Sequence, residues 1–186
     1  MAGLKFRVLL DSDSEKEVFR DILIHDEDHF ESFFKAIMQS FHFEGNQMAS
    51  FYVSNDSWDK GHEISLMDLS YGEEETPSLP NVMKDATIKS FLEEPDQKFI
   101  LVYDFLRMWI FLIELIGYEK EGPEQPKVLF QVGMAPPEDS KPMEGDHIQF
   151  GTENEDEFDE EDEFGFDEFN DDYNAEDMSG YDEYEY

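Results

Sequence analysis

The stretch from Glu153 to Tyr186 limits what this chain can fold into more than any other feature. It holds eighteen Asp or Glu residues and no Lys or Arg. Like charges at that density repel, and there is little aliphatic surface to offset the entropy of ordering. The segment is therefore expected to be a disordered acidic tail. Any fold must come from the residues before it, and about 150 residues suffice for one proper core.

Of the formal charge of −35, the tail carries −18, leaving −17 on the rest. Both parts are acidic. Direct nucleic-acid binding draws most of its affinity from Lys and Arg neutralising phosphates. Here the only arginines are Arg7, Arg20 and Arg107. Direct binding to nucleic acid is not expected. The natural partners are proteins that present a basic surface or an apolar groove.

The chain has no cysteine, which excludes a disulfide scaffold, a thiol nucleophile and a thiolate zinc site. The opening MAGLKFRVLLDSDSEKEVFR has an apolar run too short for a signal peptide, with acids directly after it. A cytoplasmic protein is the expectation. One stretch, FILVYDFLRMWIFLIELI (residues 99–116), is apolar enough to suggest a membrane span. It contains Asp104, Arg107 and Glu114, and ionised groups near a helix centre cost about 2.5–3.5 kcal/mol each on the insertion scale. Its β-branched and aromatic content fits two buried strands instead, so no membrane insertion is expected.

Periodicity orders the body. Leu4, Phe6, Val8 and Leu10 alternate with Lys5 and Arg7, the pattern of a strand with one buried face. A polar DSDSEKE turn and a second strand over 17–25 complete an antiparallel hairpin. Asp26 stands where a helix N-cap belongs. Phe30, Phe33, Phe34, Ile37, Met38 and Phe41 then fall on one helical stripe, closed by Gly45 and Asn46. Strands are expected at 49–54 and over EISLMDL. A surface loop follows at 72–81, then a short helix at 84–93. Strands KFILVYDF, WIFLIELIGYE and KVLFQVG end the body. The order predicts an α+β fold: a mixed, mainly antiparallel sheet packed on one long and one short helix. The expected domains are 1–135, a linker at 136–152 and the tail at 153–186.

The segments VFRDILI, HFESFFKAIMQSFHFE, MASFYVS and KFILVYDFLRMWIF, in this order, resemble the pRi plasmid ORF-three-like family. Its bacterial-type members are often labelled TnpR-like passenger proteins of insertion elements. The resemblance spans roughly residues 4–135. Phe19 and Arg20 match the family's aromatic-Arg pair at the strand–helix junction. Phe41, His42 and Phe43 match a Phe-Gly-Trp/Phe pattern, with His in place of Gly. Tyr103, Asp104, Phe105 and Trp109 match a Tyr-Asp-Phe-Gly-Asp-x-Trp-x-His stretch, in which Leu106, Arg107 and Phe111 replace the Gly, the second Asp and the His. The resemblance implies an α+β sheet-and-helix module and marks Arg20, Tyr103, Asp104 and Trp109 as structural residues. It implies no established activity. A serine recombinase needs an activated Ser among phosphate-holding arginines and a basic DNA-binding domain. Ser12 and Ser14 sit in an acidic turn, and three arginines cannot supply both.

Phosphate-cradling glycine loops are absent from the sequence. His25 and His29, four apart among Asp26, Glu27 and Asp28, read as an acidic helix start with two exposed histidines rather than a metal site. Asp104 and Arg107 read as a structural pair bracing a turn, with a polar-ligand site as the alternative. No catalytic residue, cofactor or metal ligand is assigned, and oligomeric state is not legible. The sharpest feature is the tail, where Phe158, Phe164, Phe166, Phe169, Tyr173, Tyr181, Tyr184 and Tyr186 punctuate the acids. Acids can steer such a segment to a basic partner while the rings dock in grooves or stack on cations. The expectation is a non-enzymatic intracellular interaction module. One alternative is a mobile-element accessory protein that mimics DNA or competes with it on a DNA-binding partner. A metal-dependent hydrolase is the other.

Overall fold

The alternation at the N-terminus produces β1, Gly3–Asp11, which pairs antiparallel with β2, Phe19–His25. The computed structural model describes residues 2–13, 15–68 and 79–143. The chain divides into two units, Met1–Gln149 and Phe150–Tyr186, and the architecture below belongs to the first. After β2 come α1 (Phe30–Phe41), β3 (Ala49–Ser54), β4 (Glu63–Ser65), a 3₁₀ turn at Ile88–Phe91, β5 (Lys98–Tyr103), β6 (Trp109–Glu119) and β7 (Lys127–Val132).

The strands form one sheet in the order β4-β3-β5-β6-β1-β2-β7. Every ladder is antiparallel. Among the described residues, parallel pairing is confined to an isolated bridge between Ser65 and Val82. The mainly antiparallel sheet that was expected is present, and all its strand ladders are antiparallel. The apolar stretch at 99–116 divides into β5 and β6, as its composition predicts. Among the described residues, no helix is long and apolar enough to cross a membrane.

The helical stripe is buried in full: Phe30, Phe33, Phe34, Ile37, Met38 and Phe41 all face the sheet. They meet Leu4, Phe6, Val8, Phe51, Phe99, Leu101, Phe111 and Ile113 in one core. The core is held largely by rings. Phe30 sits edge-on to Phe51, Phe91 and Phe99 at 5.0–5.5 Å between centroids. Edge-to-face pairs of this kind add about 0.5–1.5 kcal/mol each beyond their buried area.

The opposite face carries two rows that the registers assemble. One is apolar and runs Tyr52, Ile100, Leu112, Leu9, Phe19, Val132. The other alternates in charge, Lys98, Glu114, Arg7, Asp21. Arg7 donates two bonds to Asp21, at 2.8 and 3.0 Å, and lies over the Phe19 ring. The bond to Asp21 raises the Arg7 pKa above its ordinary value. This bonding accounts for the polar face of β1 seen in the sequence. At the sheet edges, β4 is three residues long and β7 carries a bulge opposite Asp21/Ile22. Both devices discourage strand addition at an open edge.

Two expectations are corrected. The short helix at 84–93 is a 3₁₀ turn of four residues. Its first amides leave the local ladder to serve the start of α1: Ile88 N–H donates to Asp28 O, and Lys89 N–H to Asp26 O. Those long-range bonds replace the i→i−4 bonds an α-helix would need. The α1 N-cap is His29, not Asp26. Asp26 is instead drawn into the base of β2, where its amide donates to Ala2 O and Lys89 Nζ lies 3.9 Å from its carboxylate.

Candidate functional site

The residues that carry the family resemblance lie far apart in sequence, but the fold gathers them at one end of the sheet, around the C-terminus of α1. Arg20 leaves β2 toward the helix. Its Nε donates to Ser40 O at 2.9 Å, and its Nη1 donates to Phe19 O and Val132 O at 2.8 Å each. Its guanidinium lies 4.6 Å from the Phe41 ring centre. Arg20 is only 3% exposed, and burial lowers its pKa. A planar guanidinium carries five donors in fixed directions, which suits carbonyls that approach from different sides.

From Phe41 the contacts continue ring to ring. Phe41 meets Phe111, Phe111 meets Phe43, and Phe43 meets both Tyr103 and Trp109 at 5.0–6.0 Å. The chain can turn from Phe41 back to Phe43 because His42 adopts the left-handed conformation, φ 61°. Its amide and that of Phe43 donate to Gln39 O and Met38 O, satisfying the last helical carbonyls.

The turn between β5 and β6 forms the other half of the site. Asp104 and Met108 are both left-handed, with φ 57° and 54°. Asp104 is buried, and its Oδ1 accepts from the amides of Leu106 and Arg107 at 3.1 and 3.3 Å. Arg107 Nε lies 3.5 Å from Oδ2. An Asp can hold a left-handed position because its short side chain bonds to the local backbone. The pair therefore braces the turn, while the Arg107 head reaches outward to Lys141 O at 2.6 Å.

Residues beyond β7 complete the end. Gly133 takes φ 74°, and a Cβ there would meet Glu17 O at 2.6 Å, so only glycine allows the reversal. The chain then returns across the sheet end as a strap, residues 134–143. Glu138 fastens it: one carboxylate oxygen accepts from the Tyr103 phenol, the other from the Glu44 amide at 2.7 Å. The Glu138 carbonyl accepts the Trp109 indole N–H at 3.0 Å. Lys141 Nζ donates to Met108 O and lies 5.5 Å from the Trp109 ring centre. Burial, reinforced by the Glu138 bond, raises the Tyr103 pKa well above its ordinary value.

Glu138 and Lys141 are missing from the sequence reading. The signal for them was indirect: a buried Tyr hydroxyl and Trp N–H each need a partner, and MAPPEDSKP looks like any exit from a fold. Two clefts flank the strap. One, about 500 Å³, is lined by His42, Glu44, Asp104, Arg107 and Glu138 among others. The second, about 430 Å³, lies between the strap and the β1–β2 turn, with Trp109 in its lining. His25 and His29 lie on the far side of α1, at its N-terminal end; His25 Nδ1 accepts from the Glu27 amide at 3.1 Å. The aromatics Phe158, Phe164, Phe166, Phe169, Tyr173, Tyr181, Tyr184 and Tyr186 lie outside the described residues.

Comparison with known proteins bears on this arrangement in three ways. No curated protein matches the chain. A solved structure with a similar fold is a protein of unknown function from Methanosarcina mazei Go1. It is 21% identical, with a TM-score of 0.59, and the match covers 76% of this chain and 75% of that one. That likeness is one of fold. The sequence pattern of the plasmid pRiA4b ORF-3-like proteins matches residues 2–181, well past the 4–135 span of the segments that carry the resemblance. This chain belongs to the plasmid pRiA4b ORF-3-like protein family.

Proposed function

We propose that this protein is a non-enzymatic interaction module of the cytosol. In this reading the folded unit is a scaffold and residues 153–186 capture a protein partner with a basic, groove-bearing surface. The observation that carries the reading is compositional: eighteen acids and eight aromatic rings in one segment without a compensating cation. The family match supports it by running to residue 181, so most of this segment falls inside the matched region. The folded unit supports it too. The polar groups that the family pattern singles out are engaged within the chain: Asp104 with two turn amides, Tyr103 with Glu138, Arg20 with three carbonyls.

Acids raise the rate of encounter with a basic surface, and rings supply contact area once the two have met. The test is equilibrium binding of an arginine- and lysine-rich peptide, followed by fluorescence anisotropy. Wild-type chain is compared with full-length chain in which Phe158, Phe164, Phe166 and Phe169 are replaced by Ser. The expected result is an affinity loss of about tenfold or more, since cation-to-ring contacts are worth about 0.5–2 kcal/mol each. Equal affinity for both chains overturns the reading. Competition between this chain and duplex DNA for the basic peptide, strongly reduced by salt, tests the reading as a DNA competitor.

A further inference from the structure

We propose that the cleft between the strap and the β1–β2 turn is a second contact site, which takes a single arginine or lysine side chain of a basic partner segment. This rests on the reading of the protein as a module for basic partners, and it names a separate place on the folded unit.

The cleft encloses about 430 Å³, within the range of sites that bury a small ligand group. Its lining is split by chemistry. Trp109 and Pro136 are apolar, and Met134 stands at 90% exposure on the rim. Asp11 and Asp13 supply the acidic side. An arginine or lysine has the matching division, an apolar stem and a charged head. Exposed methionine is a flexible, polarisable contact that adapts to different partners. An uncovered one beside a cavity is what a transient docking site presents. Lys141 also lines the cleft, with its Nζ 5.5 Å from the Trp109 ring centre, so the Trp109 ring already has a cation of the chain beside it. That ammonium donates to Met108 O. The charge balance of the folded unit points the same way. Two carboxylates against the single ammonium of Lys141 leave the lining net acidic, which favours a cation over an anion.

The experiment uses full-length chain carrying Trp58→Phe, so that Trp109 gives the single indole signal. An arginine-rich peptide is titrated in, and the indole N–H resonance of Trp109 is followed by NMR. The expected result is a saturable shift. Asp11→Asn with Asp13→Asn should weaken it about twofold to tenfold, the range for two exposed charge pairs. A glutamate-rich peptide of equal length should leave the resonance in place. The four Phe→Ser replacements at 158, 164, 166 and 169 should weaken overall binding while the saturable shift persists at higher peptide concentration.

The proposal is overturned if the Trp109 resonance stays fixed while anisotropy shows the peptide fully bound. In that outcome the capture of basic partners by residues 153–186 still stands. It is also overturned if the double Asn variant shifts with unchanged affinity, or if the same shift appears on concentrating the protein alone, which would assign the cleft to a second copy. Circular dichroism of each variant identifies any loss of fold. Asp11 and Asp13 lie at the exposed end of the hairpin, so their replacement should leave the spectrum unchanged.

Discussion

The Tyr103 phenol and the Glu138 carboxylate are bonded across the end of the sheet, joining β5 to a strap that starts after β7. The second oxygen of Glu138 holds the Glu44 amide just past α1. One side chain thus ties helix, sheet and strap. Glu138→Ala should destabilise the protein by about 2 kcal/mol, the scale for losing hydrogen bonds to a charged group. Urea denaturation measures the loss. Amide exchange at Glu44 should accelerate in the same variant, while amides of β1 exchange only as fast as the global change demands.

The same bond sets an alkaline limit. Burial and the Glu138 carboxylate raise the Tyr103 pKa above its ordinary value of 10.0. Above pH 10 the unfolded chain loses this proton while the folded chain keeps it. The unfolded state then binds fewer protons, so stability falls as pH rises. The contribution is whole below pH 10 and is lost as pH rises toward the folded value. Tyr103→Phe should flatten the decline between pH 10 and 12 in a series of urea melts. Tyr52, also raised by burial, should leave a residual slope.

Arg20 tests whether the buried cation is held by geometry rather than by charge alone. Its three carbonyl acceptors diverge around one planar fork. Arg20→Lys keeps the charge but cannot reach all three, and carbonyls left unpaired in the interior cost free energy. A loss of about 2–3 kcal/mol is expected for the lysine variant in denaturant melts. A loss below 0.5 kcal/mol would mean the guanidinium is solvated in solution.

Much of this architecture is legible in the sequence, and the places where it is not have physical reasons. The strands and α1 follow from side-chain periodicity, because each element buries one face. The 3₁₀ turn at Ile88–Phe91 does not, because its amides bond to Asp26 and Asp28, some sixty residues earlier. Local propensity holds no record of such partners. The N-cap is misplaced for a related reason: the Asp26 backbone is committed to Ala2 O and the Lys89 amide, and the helix starts only at Phe30, so the cap falls on His29. At the site, Arg20, Tyr103, Asp104 and Trp109 were marked by resemblance, but their convergence on the end of α1 is a property of the fold. Glu138 was invisible, since an acidic residue after two prolines has the composition of a linker.

His42 offers a prediction in the opposite direction. It holds φ 61° at the end of α1, in the position where the family pattern has Gly. A side chain there costs about 1–2 kcal/mol that glycine avoids, partly offset by glycine's greater freedom when unfolded. His42→Gly should therefore stabilise the protein by about 0.5–1 kcal/mol, raising Tm by about 1–4 °C. Differential scanning calorimetry at matched pH checks the sign.

The most direct test of the whole account separates the two components of the segment at 153–186 kinetically. Binding of an arginine- and lysine-rich peptide is followed by stopped flow, using two full-length variants. One replaces the acids between 153 and 163 by Asn and Gln; the other replaces Phe158, Phe164, Phe166 and Phe169 by Ser. Steering by charge acts on association, and docked rings act on dissociation. The account predicts a lower association rate with weaker salt dependence for the first variant, and a faster dissociation rate with unchanged association for the second. Rate constants equal to wild type in both variants would contradict it.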